Sequence, residues 1–291
     1  MSNSEGGLSE DGLSEDAPAK LNLALHVRRR RDDGYHDLET VFAFTDFGDT
    51  LMARPGDRLT LDVVGPFAGA VGAGDNLVLR AARALAAAAV DGGAIGGGAA
   101  LHLDKRIPVA AGLGGGSADA AAALRLLNRL WCLDWPLDRL LPIATDLGAD
   151  VPACLYNRTM FGTGRGERLQ AVIDEATAGL PVLLVNPGVA VPTGPVFEAW
   201  DRLDRGPLHP DLWRDGRNDL AMPAVRLQPV IAEVLDALSA TGATLARMSG
   251  SGATCFAIYS DDAARDRALD EIAGRRRWWA VATAMRAAST E

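Results

Sequence analysis

Ile107-Pro108-Val109-Ala110-Ala111-Gly112-Leu113-Gly114-Gly115-Gly116-Ser117, running into the alanine- and leucine-rich segment Ala118 to Leu130, is the stretch on which the fold turns. Ala and Leu are strong helix formers, and Ala120, Ala123, Leu124, Leu127 and Leu130 recur at helical spacing, so the segment predicts a helix. Ser117 stands at the expected N-cap. The glycines ahead of it leave backbone N–H groups unshielded at a helix start, where the macrodipole places roughly half a positive charge. A phosphate suits such a place. A flexible loop entering a core helix is the plainer alternative, and this stretch alone leaves both open.

Composition narrows the field. A chain of 291 residues can bury one large core or two ordinary ones. Its 48% hydrophobic and 23% charged content is that of a soluble globular protein. Alanine-rich runs are broken by Arg, Asp and Gly before reaching membrane-spanning length, and the N-terminus lacks a secretory layout. Cys132, Cys154 and Cys255 are too scattered for a disulfide framework or zinc site, which fits the cytoplasm. A net charge of −9 argues against general nucleic-acid binding, and nothing in the composition sets an oligomeric state. Of the 29 Lys and Arg residues only Lys20 and Lys105 are lysines. Lysine is a compact ammonium where arginine is a wide fork, so both positions become candidates for chemistry.

Along the chain, residues 1–16 carry Gly-Leu-Ser-Glu-Asp twice and read as a disordered acidic tail. Structure is expected from Ala19, where Leu21, Leu23 and Leu25 alternate with Asn22, Ala24 and His26 as a strand with one apolar face. Arg28 to Gly34 reads as an exposed hairpin tip, its arginines as a solvated turn, and the return strand runs from Tyr35 through Phe44. A strand at Leu59–Val64, a helix at Asn76–Val90, a glycine-rich link to Gly98 and a strand at Ala100–Leu103 follow. Beyond the central helix, Leu137–Leu147 is helical, and the turn 162–167 marks a domain boundary, giving domains 17–166 and 167–291. The second half reads as a strand at Pro181–Val185, helices at Val196–Leu203 and Pro229–Ala240, a turn at Ser249–Gly252, a strand at Ala253–Tyr259, a helix at Asp261–Ala273 and a strand at Trp278–Ala284. The mixture points to an α+β fold.

The glycine loop fits none of the commonest nucleotide or hydrolase signatures. No Gly-Lys pair exists for a Walker A loop, Ser117 replaces the last dinucleotide-fingerprint glycine, and neither Ser117 nor Ser251 lies in Gly-x-Ser-x-Gly. The stretch Pro108 to Ala118 instead resembles the ATP-phosphate loop of the GHMP kinases. Pro18-Ala19-Lys20-Leu21-Asn22-Leu23 and Ser249-Gly250-Ser251-Gly252-Ala253 resemble that family's first and third motifs, in the right order. Asp33-Gly34-Tyr35-His36, Asp75-Asn76-Leu77, Leu147 to Pro152, and Asn186-Pro187-Gly188 continuing to Thr193 and Phe197 narrow the resemblance. They point to the branch that phosphorylates the 2-hydroxyl of a diphosphocytidyl sugar alcohol in isoprenoid precursor biosynthesis. The resemblance runs from Ala17 onward and implies a ribosomal-S5-like N-terminal domain and a ferredoxin-like C-terminal domain.

It further implies Asp150 as general base with Lys20 beside it, and ATP with Mg²⁺ on Pro108, Val109, Ala110, Ala111, Gly112, Leu113, Gly114, Gly115, Gly116, Ser117 and Ala118. Ser117 would contact phosphate or Mg²⁺, and Asn76 and Lys105 would lie near adenine and ribose. The partner would be a small molecule carrying a cytidine diphosphate group, with neither nucleic acid nor membrane. Tyr35 and Phe197 would stack on the cytosine, His36 would meet its edge, and Asn22 and Thr193 would orient the sugar alcohol. Ser251 and Gly252 would lean in from the second domain. The residues alone allow plainer roles: core aromatics for Tyr35 and Phe197, a helix-end turn for Asp150, a solvated strand end for Lys105, a cap only for Ser117. Asp119 beside a phosphate site would repel it without a cation or solvent between, yet it also suits a helix's first turn. His26, His102 and His209 show no metal spacing. Asn157 stands where the family often has glycine, a departure that Asn tolerates at positive φ. A kinase of the same fold acting on another alcohol, and a binding module without catalysis, are the competing functions.

Overall fold

The computed structural model describes residues 12–72, 76–92, 97–172, 177–275 and 278–287. The first lobe is a six-stranded sheet made of β1 (Leu13–Arg30), β2 (His36–Gly56), β3 (Leu59–Val64), β4 (Gly98–Asp104), β5 (Met160–Gly164) and β6 (Arg168–Ala171). Its path is β3-β4-β2-β5-β6 with β1 paired to β2, and β3 and β4 run parallel while the other pairs are antiparallel. Helices α1 (Leu77–Asp91), α2 (Gly115–Leu130), α3 (Leu137–Leu147) and α4 (Val151–Tyr156) pack with this sheet around one core. Ala120 to Leu124 of α2 are all fully buried, so its small side chains let the helix lie close against its neighbours.

The second lobe is a four-stranded antiparallel sheet of β7 (Pro181–Asn186), β8 (Leu245–Met248), β9 (Cys255–Ile258) and β10 (Trp279–Ala284), ordered β10-β7-β9-β8. Helices α5 (Thr193–Glu198), α6 (Ala221–Leu227) and α7 (Val230–Ala240) lie between β7 and β8, and α8 (Asp262–Arg275) between β9 and β10. This is the ferredoxin-like half of the expected α+β fold. One core is shared: Ala19, Leu21 and Leu23 of β1 pack with Val182 and Leu184 of β7 and Phe256 and Ile258 of β9.

Several expectations are corrected. Residues 13–16 are not part of a disordered tail, and structure does not wait for Ala19: Leu13 to Asp16 pair with Ala53 to Thr50 of β2. Glu15 meets Arg125 at 2.7 Å and Arg129 at 2.8 Å, partners that lie on α2 and are invisible locally. Residues 1–11, Asp75 and residues 93–96 of the glycine-rich link lie outside the described residues. The boundary after Gly166 falls inside a hairpin, because β6 keeps the first sheet going to Ala171. Strand β1 has two buried faces rather than one from Ala17 to Val27, since the second lobe covers the other side. Helix α5 starts at Thr193 and ends at Glu198 instead of spanning Val196–Leu203. Asp201 accepts the Leu203 N–H in a side-chain turn, and Arg202 takes φ +63°.

Candidate active site

Helix α2 begins earlier than its sequence suggests. Gly114, at φ +64°, is the N-cap, and Ser117 is the third helical residue rather than the cap. Glycine alone tolerates this left-handed entry cheaply, and a Cβ on Gly114 would come within 2.9 Å of the Lys20 side chain. The first intrahelical bond runs from the Ala118 N–H to the Gly114 carbonyl, so the amides of Gly115, Gly116 and Ser117 belong to the open helix end. The loop is held from both lobes. Lys20 N–H donates to the Leu113 carbonyl (2.8 Å) and Thr254 N–H to the Ala111 carbonyl (3.1 Å), while Ser249 Oγ donates to the Gly112 carbonyl (2.9 Å). At Gly112 a Cβ would lie 2.5 Å from the Ser249 carbonyl oxygen, so the two glycine turns touch backbone to backbone.

Two cavities meet at this loop. The larger, about 660 Å³, is lined by Lys20, Asn22, Tyr35, His36, Asp150, Thr193 and Phe197, together with Gly112, Gly114 and Ser117. The smaller, about 270 Å³, is lined by Asn76, Lys105, Pro108, Val109, Gly115, Gly116 and Asp119. Ala110 lines both. The side chains of Ala111, Leu113 and Ala118, expected at the nucleotide, are buried in the core. These three can serve only through their backbone.

At the head of the larger cavity the Lys20 ammonium, 3% exposed, lies 3.1 Å from Asp150 and donates to Asn22 Oδ1 at 2.8 Å. Asn22 Nδ2 donates in turn to Thr40 Oγ1 (2.8 Å), which donates to the Ala24 carbonyl (2.7 Å). Asn22 thus fixes Lys20 as much as it faces the cavity. Asp150 is the N-cap residue of α4 and keeps 36% exposure, a carboxylate open to the cavity. At the far end Phe197 stacks on His36 with ring centres 4.9 Å apart, and Trp200 meets His36 edge-on at 5.7 Å. Burial, then the charges of Arg30 and Arg202, hold the His36 imidazole below its ordinary pKa, so it is neutral at pH 7. Tyr35 is no core aromatic: it is 56% exposed at the hairpin tip. Thr193 Oγ1 lies 3.0 Å from Ser251 Oγ, joining α5 to the third glycine turn.

Lys105 is not a solvated strand end. Buried to 3% exposure, it bonds Asp49 at 2.5 Å and Asp119 at 2.6 Å. Asp49 Oδ1 accepts the N–H groups of Arg106 and Ile107 (2.5 and 2.7 Å), so the cluster ties β2, the loop entrance and α2 together. Burial by itself would lower the lysine, but Asp119 and Asp49 outweigh it and hold the ammonium above its usual pKa. Two carboxylates share one ammonium, and burial pushes Asp119 up. Asp119 Oδ1 has no hydrogen-bond partner among the described residues although it is buried. Asp49 was missed by sequence reading, as were Arg30 and Arg165 of the larger cavity. No motif announces them, and only the sheet brings them in.

Comparisons with known proteins place the chain in a family. A family profile for the GHMP kinases N terminal domain matches residues 76–158, and one for the GHMP kinases C terminal domain matches residues 202–276. A protein of Rhizorhabdus wittichii named 4-diphosphocytidyl-2-C-methyl-D-erythritol kinase is 54% identical over 94% of each chain. One of the same name from Novosphingobium aromaticivorans is 49% identical over 94% of this chain and 93% of its own. A crystal structure of 4-(cytidine 5'-diphospho)-2C-methyl-D-erythritol kinase superposes with a TM-score of 0.78 at 36% identity, covering 94% of this chain and 99% of that one.

Proposed function

The chain belongs to the GHMP kinases, and from that premise we propose that it transfers the γ-phosphoryl group of ATP to the 2-hydroxyl of 4-diphosphocytidyl-2-C-methyl-D-erythritol. The reaction would serve isoprenoid precursor synthesis in the cytoplasm. No helix among the described residues is long and apolar enough to cross a membrane. The observation that carries the reading is the Lys20–Asp150 pair, in the larger cavity and beside the loop that divides it from the smaller one. ATP would enter the smaller cavity, past Asn76 and Pro108, with its phosphates on the amides of Gly115, Gly116 and Ser117. The diphosphocytidyl alcohol would fill the larger cavity, its base between the Tyr35 and Phe197 rings and Thr193 near the sugar alcohol. The His36 imidazole, stacked on Phe197 in the free protein, would turn aside to meet the edge of the base.

Asp150 takes the proton of the 2-hydroxyl as the oxygen attacks the γ-phosphorus, and the bond to the β–γ bridging oxygen breaks to release ADP. Lys20, held by Asn22, faces the developing alkoxide and the transferring group. Positioning and charge neutralisation supply most of the acceleration. For Mg²⁺ the fit is by hard oxygen donors: the Ser117 hydroxyl and the unpartnered Asp119 Oδ1 stand near the helix start. Bound with the nucleotide's phosphates, the ion would neutralise their charge, which also answers how a carboxylate can sit beside them.

The test is ADP release from Mg-ATP with the diphosphocytidyl alcohol, in the wild type and in Asp150→Asn. Turnover that needs the cytidyl compound and drops by about 10²–10⁴-fold in the variant is the expected result. Undiminished turnover in Asp150→Asn would remove the base. A folded, ATP-binding wild type that ignores the cytidyl compound but phosphorylates another alcohol would replace the substrate.

A further inference from the structure

The arginine run 28–31 is not the uniformly solvated turn its sequence suggests. Arg28 pairs with Glu39 at 3.2 Å and Asp204 at 3.1 Å. Arg29 pairs with Asp37 at 2.6 Å, and Arg31 with Asp33 at 2.9 Å and Asp37 at 3.3 Å. Arg30 has no carboxylate partner among the described residues, and it lines the larger cavity. A second cation lines the same cavity from a different turn. Arg165, at the tip of the β5–β6 hairpin, lies over the Tyr35 ring with its guanidinium carbon 5.0 Å from the centroid. Its nearest carboxylate, Glu167, is 4.0 Å away, at the outer limit of an ion pair.

The two tips are neighbours by sheet register, since Leu38 of β2 pairs with Gly164 of β5. Both are fixed in advance. Arg31 N–H donates to the Tyr35 carbonyl (2.8 Å) across the first turn, and Arg165 N–H donates to Glu167 Oε2 (2.6 Å) in the second. Gly164 and Gly166 flank Arg165 at φ +73° and +111°. Asp150, already paired with Lys20, and Glu198 on the α5 side are the carboxylates lining the cavity. The wall bearing the tips therefore holds two guanidinium groups with little to neutralise them. A guanidinium stacked on an aromatic face keeps its in-plane N–H donors free, and that planar fork matches phosphate oxygens two at a time.

We infer that Arg30 and Arg165 are specificity-determining residues that clamp the diphosphate of the substrate, with Arg165 also backing the Tyr35 ring. The inference rests on the reading of this cavity as the diphosphocytidyl site. It assigns the base to the rings and the charge to the two hairpin tips, so cytidine alone uses only part of the site.

Calorimetric binding of cytidine, CMP and CDP to the wild type, Arg30→Gln, Arg165→Gln and the double variant tests it. The wild type should bind CDP at least about tenfold more tightly than cytidine, and added salt should shrink that preference. Each single variant should lose part of the preference and the double variant nearly all, with cytidine affinity held within about threefold, which also reports that the variants are folded. In turnover, KM for the diphosphocytidyl alcohol should rise about tenfold while kcat stays within about twofold. Variants that keep the CDP preference, or that lose all three ligands equally, would overturn the clamp and leave the substrate reading standing. A wild type that binds none of the three would remove the substrate reading and the clamp together.

Discussion

Lys20 and Lys105 occupy places an arginine does not fit. The first is a buried ammonium wedged between Asn22 and Asp150 with Gly114 packed on its stem, and the second is a buried ammonium between two carboxylates. Lys20→Arg keeps the charge but needs a wider fork in the same space. It is expected to cut kcat/KM by about 10²-fold while the urea midpoint barely moves, since the loss is one of placement. Lys105→Met leaves Asp49 and Asp119 buried without their cation and is expected to cost about 3–5 kcal/mol, read by urea denaturation. The scarcity of lysine in an arginine-rich chain exposed both positions. Asp150 was expected beside Lys20, but the pairing of Lys105 with Asp49 and Asp119 was not legible, because no motif or spacing links the three. Asp119 looked misplaced beside a phosphate until the fold supplied Lys105.

The longer helices and the apolar strands were legible, and the shortest helices and β8 were not. The helices α1, α3, α7 and α8 and the strands β3, β7 and β10 lie close to where composition and periodicity put them. Helix α4 covers six residues, α6 seven and β8 four, too few for a period to emerge. The glycine start of α2 was misplaced because a serine is the usual cap and a left-handed glycine is the rarer solution. The N-terminal end of β1 was hidden for another reason: its acidic residues are those of a solvated tail unless arginines wait for them. Arg125 of α2 holds that end, donating to Glu15 (2.7 Å), the Cys154 carbonyl (2.7 Å) and the Asp16 carbonyl (3.1 Å). Arg125→Ala is expected to destabilise the protein by about 2 kcal/mol, and hydrogen exchange should quicken first in residues 13–16 and 50–53.

Across the whole molecule the lobes are joined by side chains that sense pH. His26 of β1 accepts the Arg217 N–H at Nε2 (3.3 Å), and its Nδ1 lies 3.2 Å from the Gly206 carbonyl. The network therefore assigns the Nδ1–H tautomer, and a second proton would remove the acceptor facing Arg217. Burial, then the Arg217 charge, lowers the His26 pKa below 6.5, as burial and Arg30 lower that of His36. Because the unfolded chain binds these protons first, stability is full above about pH 7 and falls as pH drops through 6.5, levelling off below the folded values. Denaturation midpoints between about pH 7.5 and 5.5 should show this slope, and His26→Gln should flatten it. The close approach of Gly112 to the Ser249 and Gly252 carbonyls has a last consequence, for inheritance rather than for chemistry. A recombinant that took one parent's chain up to residue 180 and another's beyond it would bring together two backbones that never adjusted to each other at that seam. Such a crossover keeps the glycine at 112 that lets the two turns touch, so the site is expected to survive it only where both parents bring those turns equally close.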